Sequence, residues 1–255
     1  MKKGKSKFYN FVRNKKDNTA SLYIYGEITP YPWSDADVSA NEFRKELEKI
    51  QDVDTLNVYI NSPGGAIFEA FAIYNQLVRF GQTHKINVWI DGLAASSASL
   101  IALAGHKIHM PKNAYFMIHR AWTIALGNSK DFLKTAEELE QLDTTIAEIY
   151  QNKTNLPLDE IIEYMDEETW FDGKQAYELG FIDVLEEEKQ IAASIKNMDT
   201  SDINVLNKYK NIPDRVKEII KNKEKDNKDK SEREASKGNE LELLKVKLQE
   251  EIDAL

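Results

Sequence analysis

The stretch TLNVYINSPGGAIFEAFAIYNQLV, residues 55–78, decides how the whole chain is read. Its first six residues, all but Asn57 apolar, β-branched or aromatic, predict a strand over 55–60. Asn61-Ser62-Pro63-Gly64-Gly65 breaks that strand at once. Ile67, Phe71, Ile73, Tyr74, Leu77 and Val78 then recur at helical spacing and give one apolar face.

Strand and helix also alternate on both sides, without an internal repeat of sequence. Upstream, LYIYGEI (22–28) predicts a strand closed by Pro30 and Pro32, and residues 34–50 predict a helix through Phe43, Leu47 and Ile50. Downstream, INVWI (86–90) predicts a third strand, running into Gly92 and a small-residue helix, AASSASLIALAG (94–105). Short strands are expected at 106–109 and at YFMIH (115–119). Alternating strands and helices argue for an α/β domain with a largely parallel sheet, in which ligands gather at strand ends. A long helix is expected over 130–153, a short one over 158–165, and a turn, helix and final strand over 170–183, with Gly180 as the helix stop.

Beyond residue 190 the pattern weakens. The expected organisation is a flexible basic arm (1–20), the α/β domain (21–190), a weakly structured extension (191–220) and a charged linker (221–239). Leu241, Leu244, Leu248, Ile252 and Leu255 then predict a terminal amphipathic helix over 240–255.

Composition excludes several functions. The formal net charge of -9 argues against nucleic acid, whose binders carry a basic face. The absence of cysteine removes disulfides, thiolate zinc sites and a Cys nucleophile. The basic start has no apolar run after it, and the most apolar run, 92–105, falls short of the roughly 20 residues of a membrane span. A soluble, cytoplasmic protein with no membrane contact is expected.

Few residues could carry chemistry. Ser96 and Ser97 open the small-residue helix, where unpaired backbone N–H groups can face a developing oxyanion. A serine hydroxyl needs a base to take its proton, and His119 at the end of YFMIH is the candidate. His106 and His109, three apart in a strand, point to opposite faces and do not read as a metal pair. The paired glycines 64 and 65 allow close backbone approach, but the turn lacks the Gly-Lys-Ser/Thr ending of a phosphate loop. Asp166, Glu167 and Glu168 supply carboxylates that could orient the histidine.

Taken together and in order, YINSPGG (59–65), GLAASS (92–97), MIH (117–119), IYQNKTNL (149–156) and AYELGFID (176–183) resemble the ClpP family of serine peptidases over roughly residues 20–190. The resemblance implies a ClpP/crotonase-like fold of stacked ββα units with a protruding handle helix, here followed by a polar C-terminal extension. It implies Ser96 as nucleophile, His119 as base, and the Gly65 and Ser97 amides as oxyanion hole. The family's aspartate falls on Glu168, with Asp166 as the alternative. No cofactor or metal is implied, and a homo-oligomeric ring, a heptamer or a doubled tetradecamer, is expected.

Several departures from the family are visible. Arg120-Ala121-Trp122 replaces Gln-Pro, the following Gly-rich strand keeps only Gly127, and the first twenty residues do not match the pore-lining segment. These put an unfoldase ATPase partner in doubt. They make the chain more similar to ClpP-like head maturation proteases of phages and prophages, implying ATP-independent processing of capsid or scaffold protein. The alternatives are a housekeeping-like subunit working with an unfoldase, a crotonase-type enzyme, and a non-catalytic ring-forming assembly protein.

Overall fold

The computed structural model describes residues 9–29, 40–188 and 200–225. Among the described residues eight strands form one sheet with the order β1-β2-β3-β4-β5-β8, while β6 branches from β4 and carries β7. β2 (Thr19–Tyr25), β3 (Thr55–Ser62), β4 (Lys85–Ala95), β5 (Lys107–Pro111) and β8 (Val184–Glu186) are all mutually parallel.

Along β2, β3 and β4 every second residue is buried. Leu22, Ile24, Leu56, Val58, Ile60, Ile86, Val88 and Ile90 form the inner layer, each at most 1% exposed. Burying one such side chain stabilises by about 1.5–3 kcal/mol. The opposite face carries an aromatic ladder: Tyr23, Tyr59, Trp89 and His109 stack in turn with ring centroids 4.8–5.2 Å apart. In-register parallel pairing makes the ladder, because Tyr23 lies opposite Tyr59, Tyr59 opposite Trp89, and Trp89 opposite His109.

β4 does most to create the site. Its first half pairs with β5 through Asn87–Trp89, and its second half pairs with β6 (Tyr115–Ile118) through Leu93–Ala95. Gly92 does not end the strand, as the sequence suggested; the strand continues through it because the next partner takes over the ladder. β6 then pairs antiparallel with β7 (Thr169–Asp172).

The helices follow the expected order: α1 (Ala40–Glu48), α2 (Ile67–Gly81), α3 (Ser97–Ala102), α4 (Ser129–Thr154), α5 (Leu158–Asp166) and α6 (Gly173–Glu178). α4 starts at a capping box between Asn128 and Asp131. Its buried residues, Asp143, Ile146, Ala147 and Tyr150, all lie in its second half, whereas Phe132 and Leu133 are exposed in the first. The helix is therefore a projecting handle on its N-terminal side.

Three expectations change. The arm expected over 1–20 contains a strand, β1 (Tyr9–Asn14), antiparallel to β2, with Tyr9 packed edge-on against Phe43. The extension expected to be weakly structured over 191–220 contains α7 (Thr200–Leu206), with Ile203, Val205, Leu206, Tyr209 and Ile212 buried. The charged linker expected from 221 begins with five residues that are still helical, in a helix over 214–225. The chain divides into a unit of residues 1–212 and a second of residues 213–255. The amphipathic helix expected over 240–255 lies outside the described residues. Among the described residues no helix is long and apolar enough to cross a membrane.

Candidate active site

Strand register brings the candidate residues together. Ser62 lies opposite Ala94, Ala95 opposite Met117, and Ile118 opposite Thr169. Ser96 follows Ala95, His119 follows Ile118 and Glu168 precedes Thr169, so the three lie at the same end of the sheet. The Ser96 amide donates to the Met117 carbonyl at 2.9 Å, which fixes the chain as it leaves β4.

Ser96 has φ 55° and ψ −128°, a conformation that L residues rarely adopt. Ser99 holds it there: its amide donates to the Ser96 carbonyl at 2.9 Å and its Oγ at 2.5 Å. Ser99 Oγ also lies 2.7 Å from the buried Tyr150 hydroxyl of α4. The small residues of α3 therefore serve close packing as well as chemistry.

Ser96 Oγ lies 2.7 Å from His119 Nε2. Burial pushes the His119 pKa down to about 4, against the upward pull of the nearby Glu168 charge. The ring is thus neutral near pH 7 and able to accept the serine proton.

The turn expected to approach closely does so. At Gly64, φ +90°, an added Cβ would stand 2.6 Å from the Ala95 carbonyl oxygen and 2.8 Å from Ser96 Cβ. At Gly65, φ +147°, it would stand 2.1 Å from the Ile28 carbonyl oxygen. Only glycine fits at either position. Ser62 Oγ stiffens the turn by donating to the Gly26 carbonyl at 2.6 Å and accepting from the Gly64 amide at 3.1 Å. Gly65 and Ser97 both line a cleft of about 520 Å³ that also exposes Ser96 and His119. Neither of the two amides donates to another backbone carbonyl among the described residues.

The two candidate acids differ sharply. Asp166 faces Arg120, which donates from Nε to Oδ1 and from its second amino group to Oδ2 at 3.2 Å. The guanidinium holds the Asp166 pKa below the usual carboxylate range. Glu168 is 8% exposed, at φ 49°, and its charge reaches His119. No hydrogen bond joins Glu168 to His119 among the described residues. Glu168 Oε1 instead accepts from the amides of Lys210 and Asn211, both at 2.7 Å, and from Trp170 Nε1 at 3.4 Å.

Sequence reasoning noted Arg120 as a departure from the family pattern but gave it no place in the site, and it did not single out Asp143 or Tyr209. Arg120, which departs from the family pattern, donates to the buried Asp143 at 3.3 Å as well as to Asp166. Asp143 also accepts from the Ala121 amide at 2.7 Å and so fixes the segment after His119. The Tyr209 ring meets His119 edge-on at 5.2 Å and Trp170 at 5.8 Å, while its hydroxyl donates to the Pro63 carbonyl at 2.6 Å. His106 lies just ahead of β5 and not within the strand as expected; its Nδ1 accepts from the Ile86 amide at 3.0 Å, while His109, inside β5, has its Nδ1 3.2 Å from Glu186.

Comparison with known proteins agrees with this geometry. The Clp protease family matches residues 34–189. An ATP-dependent Clp protease proteolytic subunit of Pleurastrum terricola is 33% identical over 135 residues, 52% of this chain and 67% of that one. ATP-dependent Clp protease proteolytic subunit 1 of Leifsonia xyli subsp. xyli is 30% identical over 162 residues, 62% of this chain and 81% of that one. A solved ClpP1 mutant of Listeria monocytogenes superposes with a TM-score of 0.56 at 20% identity, over 67% of this chain and 93% of that one. The mixed α/β sheet is therefore a ClpP-like fold.

Proposed function

Because the chain belongs to the Clp protease family, a family of peptidases, we propose that it is a serine endopeptidase acting through Ser96, His119 and Glu168. The 2.7 Å contact between Ser96 Oγ and His119 Nε2 carries this reading. His119 takes the hydroxyl proton as Ser96 Oγ attacks the scissile carbonyl carbon. The amides of Gly65 and Ser97 hold the resulting oxyanion. His119 then passes the proton to the leaving amine, and water, activated by the same base, releases the acyl group. Glu168 favours the transient imidazolium by charge, the direction in which it moves the His119 pKa. Arg120 and Asp143 keep the chain after His119 in place.

The assembly is a homo-oligomeric ring, a heptamer or two stacked heptamers, joined through the projecting half of α4. The exposed Phe132 and Leu133 support that role. The substrate is a capsid or scaffold protein processed during head assembly without an unfoldase. The departures at Arg120-Ala121-Trp122 and the residues that follow the family match support this assignment. A second reading, a subunit serving an unfoldase, is favoured by the relatives, which are named as ATP-dependent subunits.

A fluorophosphonate probe followed by mass spectrometry tests the chemistry. Labelling at Ser96, abolished in Ser96→Ala, supports the peptidase. A folded protein that takes no label favours the crotonase-type or non-catalytic alternative. ATP-dependent degradation of a folded protein on adding an unfoldase, with no cleavage of capsid or scaffold protein alone, favours the second reading.

A further inference from the structure

The family match ends at residue 189, yet the catalytic acid candidate is gripped by residues beyond it. Glu168 Oε1 takes the amides of both Lys210 and Asn211 at 2.7 Å. The Asn211 side chain donates to the neighbouring Glu167 carbonyl at 2.5 Å. Glu168 Oε2 accepts no hydrogen bond among the described residues, and its carboxylate is the charge that acts on His119. In a Ser-His-acid triad the acid holds the imidazole by a hydrogen bond; here one oxygen is tied to backbone donors, and the carboxylate reaches His119 by charge alone.

We propose that residues 200–212 are a positioning strap for the triad, in which the Lys210 and Asn211 amides hold Glu168 in the rotamer that serves His119. This rests on the peptidase reading above. Glutamate needs such a strap more than aspartate does, because its extra methylene adds a rotatable bond. Two charge-assisted hydrogen bonds to one oxygen remove that freedom.

The strap is itself fastened at three points. Asp202 Oδ1 accepts from the Glu27 amide at 2.7 Å. The Tyr209 hydroxyl donates to the Pro63 carbonyl at 2.6 Å, which ties the strap to the turn that carries Gly65. Lys208 Nζ stands 5.1 Å over the Trp122 ring. Tyr209 is 7% exposed and, with its ring edge-on to His119, keeps water from one side of the imidazole. The cleft beside Ser96 stays open, with Lys208 and Tyr209 as part of its wall, so the strap frames the site and does not fill it.

The test is a double-mutant cycle on the full chain, read as the rate of Ser96 phosphonylation and as kcat for a fluorogenic peptide. Asn211→Pro removes one of the two amide donors together with the side-chain bond to the Glu167 carbonyl, and Asp202→Ala removes the carboxylate that accepts from the Glu27 amide. Each is expected to slow both reactions, about tenfold to a hundredfold for Asn211→Pro, with KM little changed. In a Glu168→Gln background neither variant is expected to add a further loss, since each acts through that carboxylate. If Asn211→Pro does not fold, Asp202→Ala carries the same cycle. A wild-type protein that labels, with variants that label equally fast or with losses that multiply in the Glu168→Gln background, overturns the strap and leaves the peptidase standing. A folded wild-type protein that does not label overturns both.

Discussion

Lowering the pH tests whether His119 is the buried base that the geometry requires. Its pKa is about 4 in the folded protein against 6.5 for a free imidazole. A base with a pKa of about 4 is still about 97% neutral at pH 5.5, whereas one at 6.5 is about 9% neutral. The rate of Ser96 phosphonylation should therefore hardly change between pH 7.5 and pH 5.5, where an ordinary histidine would lose about tenfold. Three groups face the ring: Ser96 at the start of α3, Glu168 ahead of β7, and Tyr209 from the strap. Glu168→Gln removes the charge that raises the pKa, so it should move the acid limb lower still while slowing the plateau. The same depression links to stability. The unfolded chain binds the proton first, so this group's contribution is complete above about pH 6.5. It falls as the pH drops towards 4, by about 3 kcal/mol in all. The assay is brief labelling at each pH with the fold checked by circular dichroism. An acid limb near pH 6.5 in the wild type, or one that rises in Glu168→Gln, would refute the reasoning.

Ser96→Ala should abolish labelling, while Ser97→Ala, whose amide and not its hydroxyl faces the reaction, should keep most of it; the reverse ranking would shift the nucleophile by one. Glu168→Gln should lower kcat by several orders of magnitude, as loss of a triad member does, and Asp166→Asn much less, because Asp166 is held by Arg120. Gly65→Ala drives a Cβ to 2.1 Å from the Ile28 carbonyl oxygen, so the turn must move; kcat should fall about 10²–10³-fold if the amide leaves the oxyanion, and a wild-type kcat would remove Gly65 from the site. Sedimentation at micromolar protein should give a ring-sized particle, and Phe132→Glu with Leu133→Glu should reduce it; a wild-type monomer would contradict the ring.

Local pattern made much of the fold legible. Residues 55–78 alternate as a half-buried strand and then switch to helical spacing, and β3 and α2 form there. Ser96 and His119 were found as types in context, a small-residue helix start and a strand end, and the structure brings them together. Glu168 follows from counting, and it lies, like His119, one residue beyond the last β6–β7 pair, Ile118 with Thr169. What stayed hidden depends on contacts far apart in sequence. β1 was masked by its basic neighbours, although Tyr9 and Phe11 already show the alternation of an edge strand. The strap was masked by polar residues, while Ile203, Leu206, Tyr209 and Ile212, three apart, were the available signal. Arg120 read as a departure that weakens one partner, but it clamps Asp143 and Asp166, 23 and 46 residues away.

The order of these parts along the chain also has a meaning in time. Of the triad and its strap, the nucleophile is the first to leave the ribosome, the base follows 23 residues later, and the amides that hold the acid come last, at residues 210 and 211. At about 5–20 residues per second, roughly 6 to 23 s separate the synthesis of Ser96 from that of Asn211. On the proposed mechanism, the nascent chain carries a serine through that interval without the full apparatus that would let it cut its neighbours.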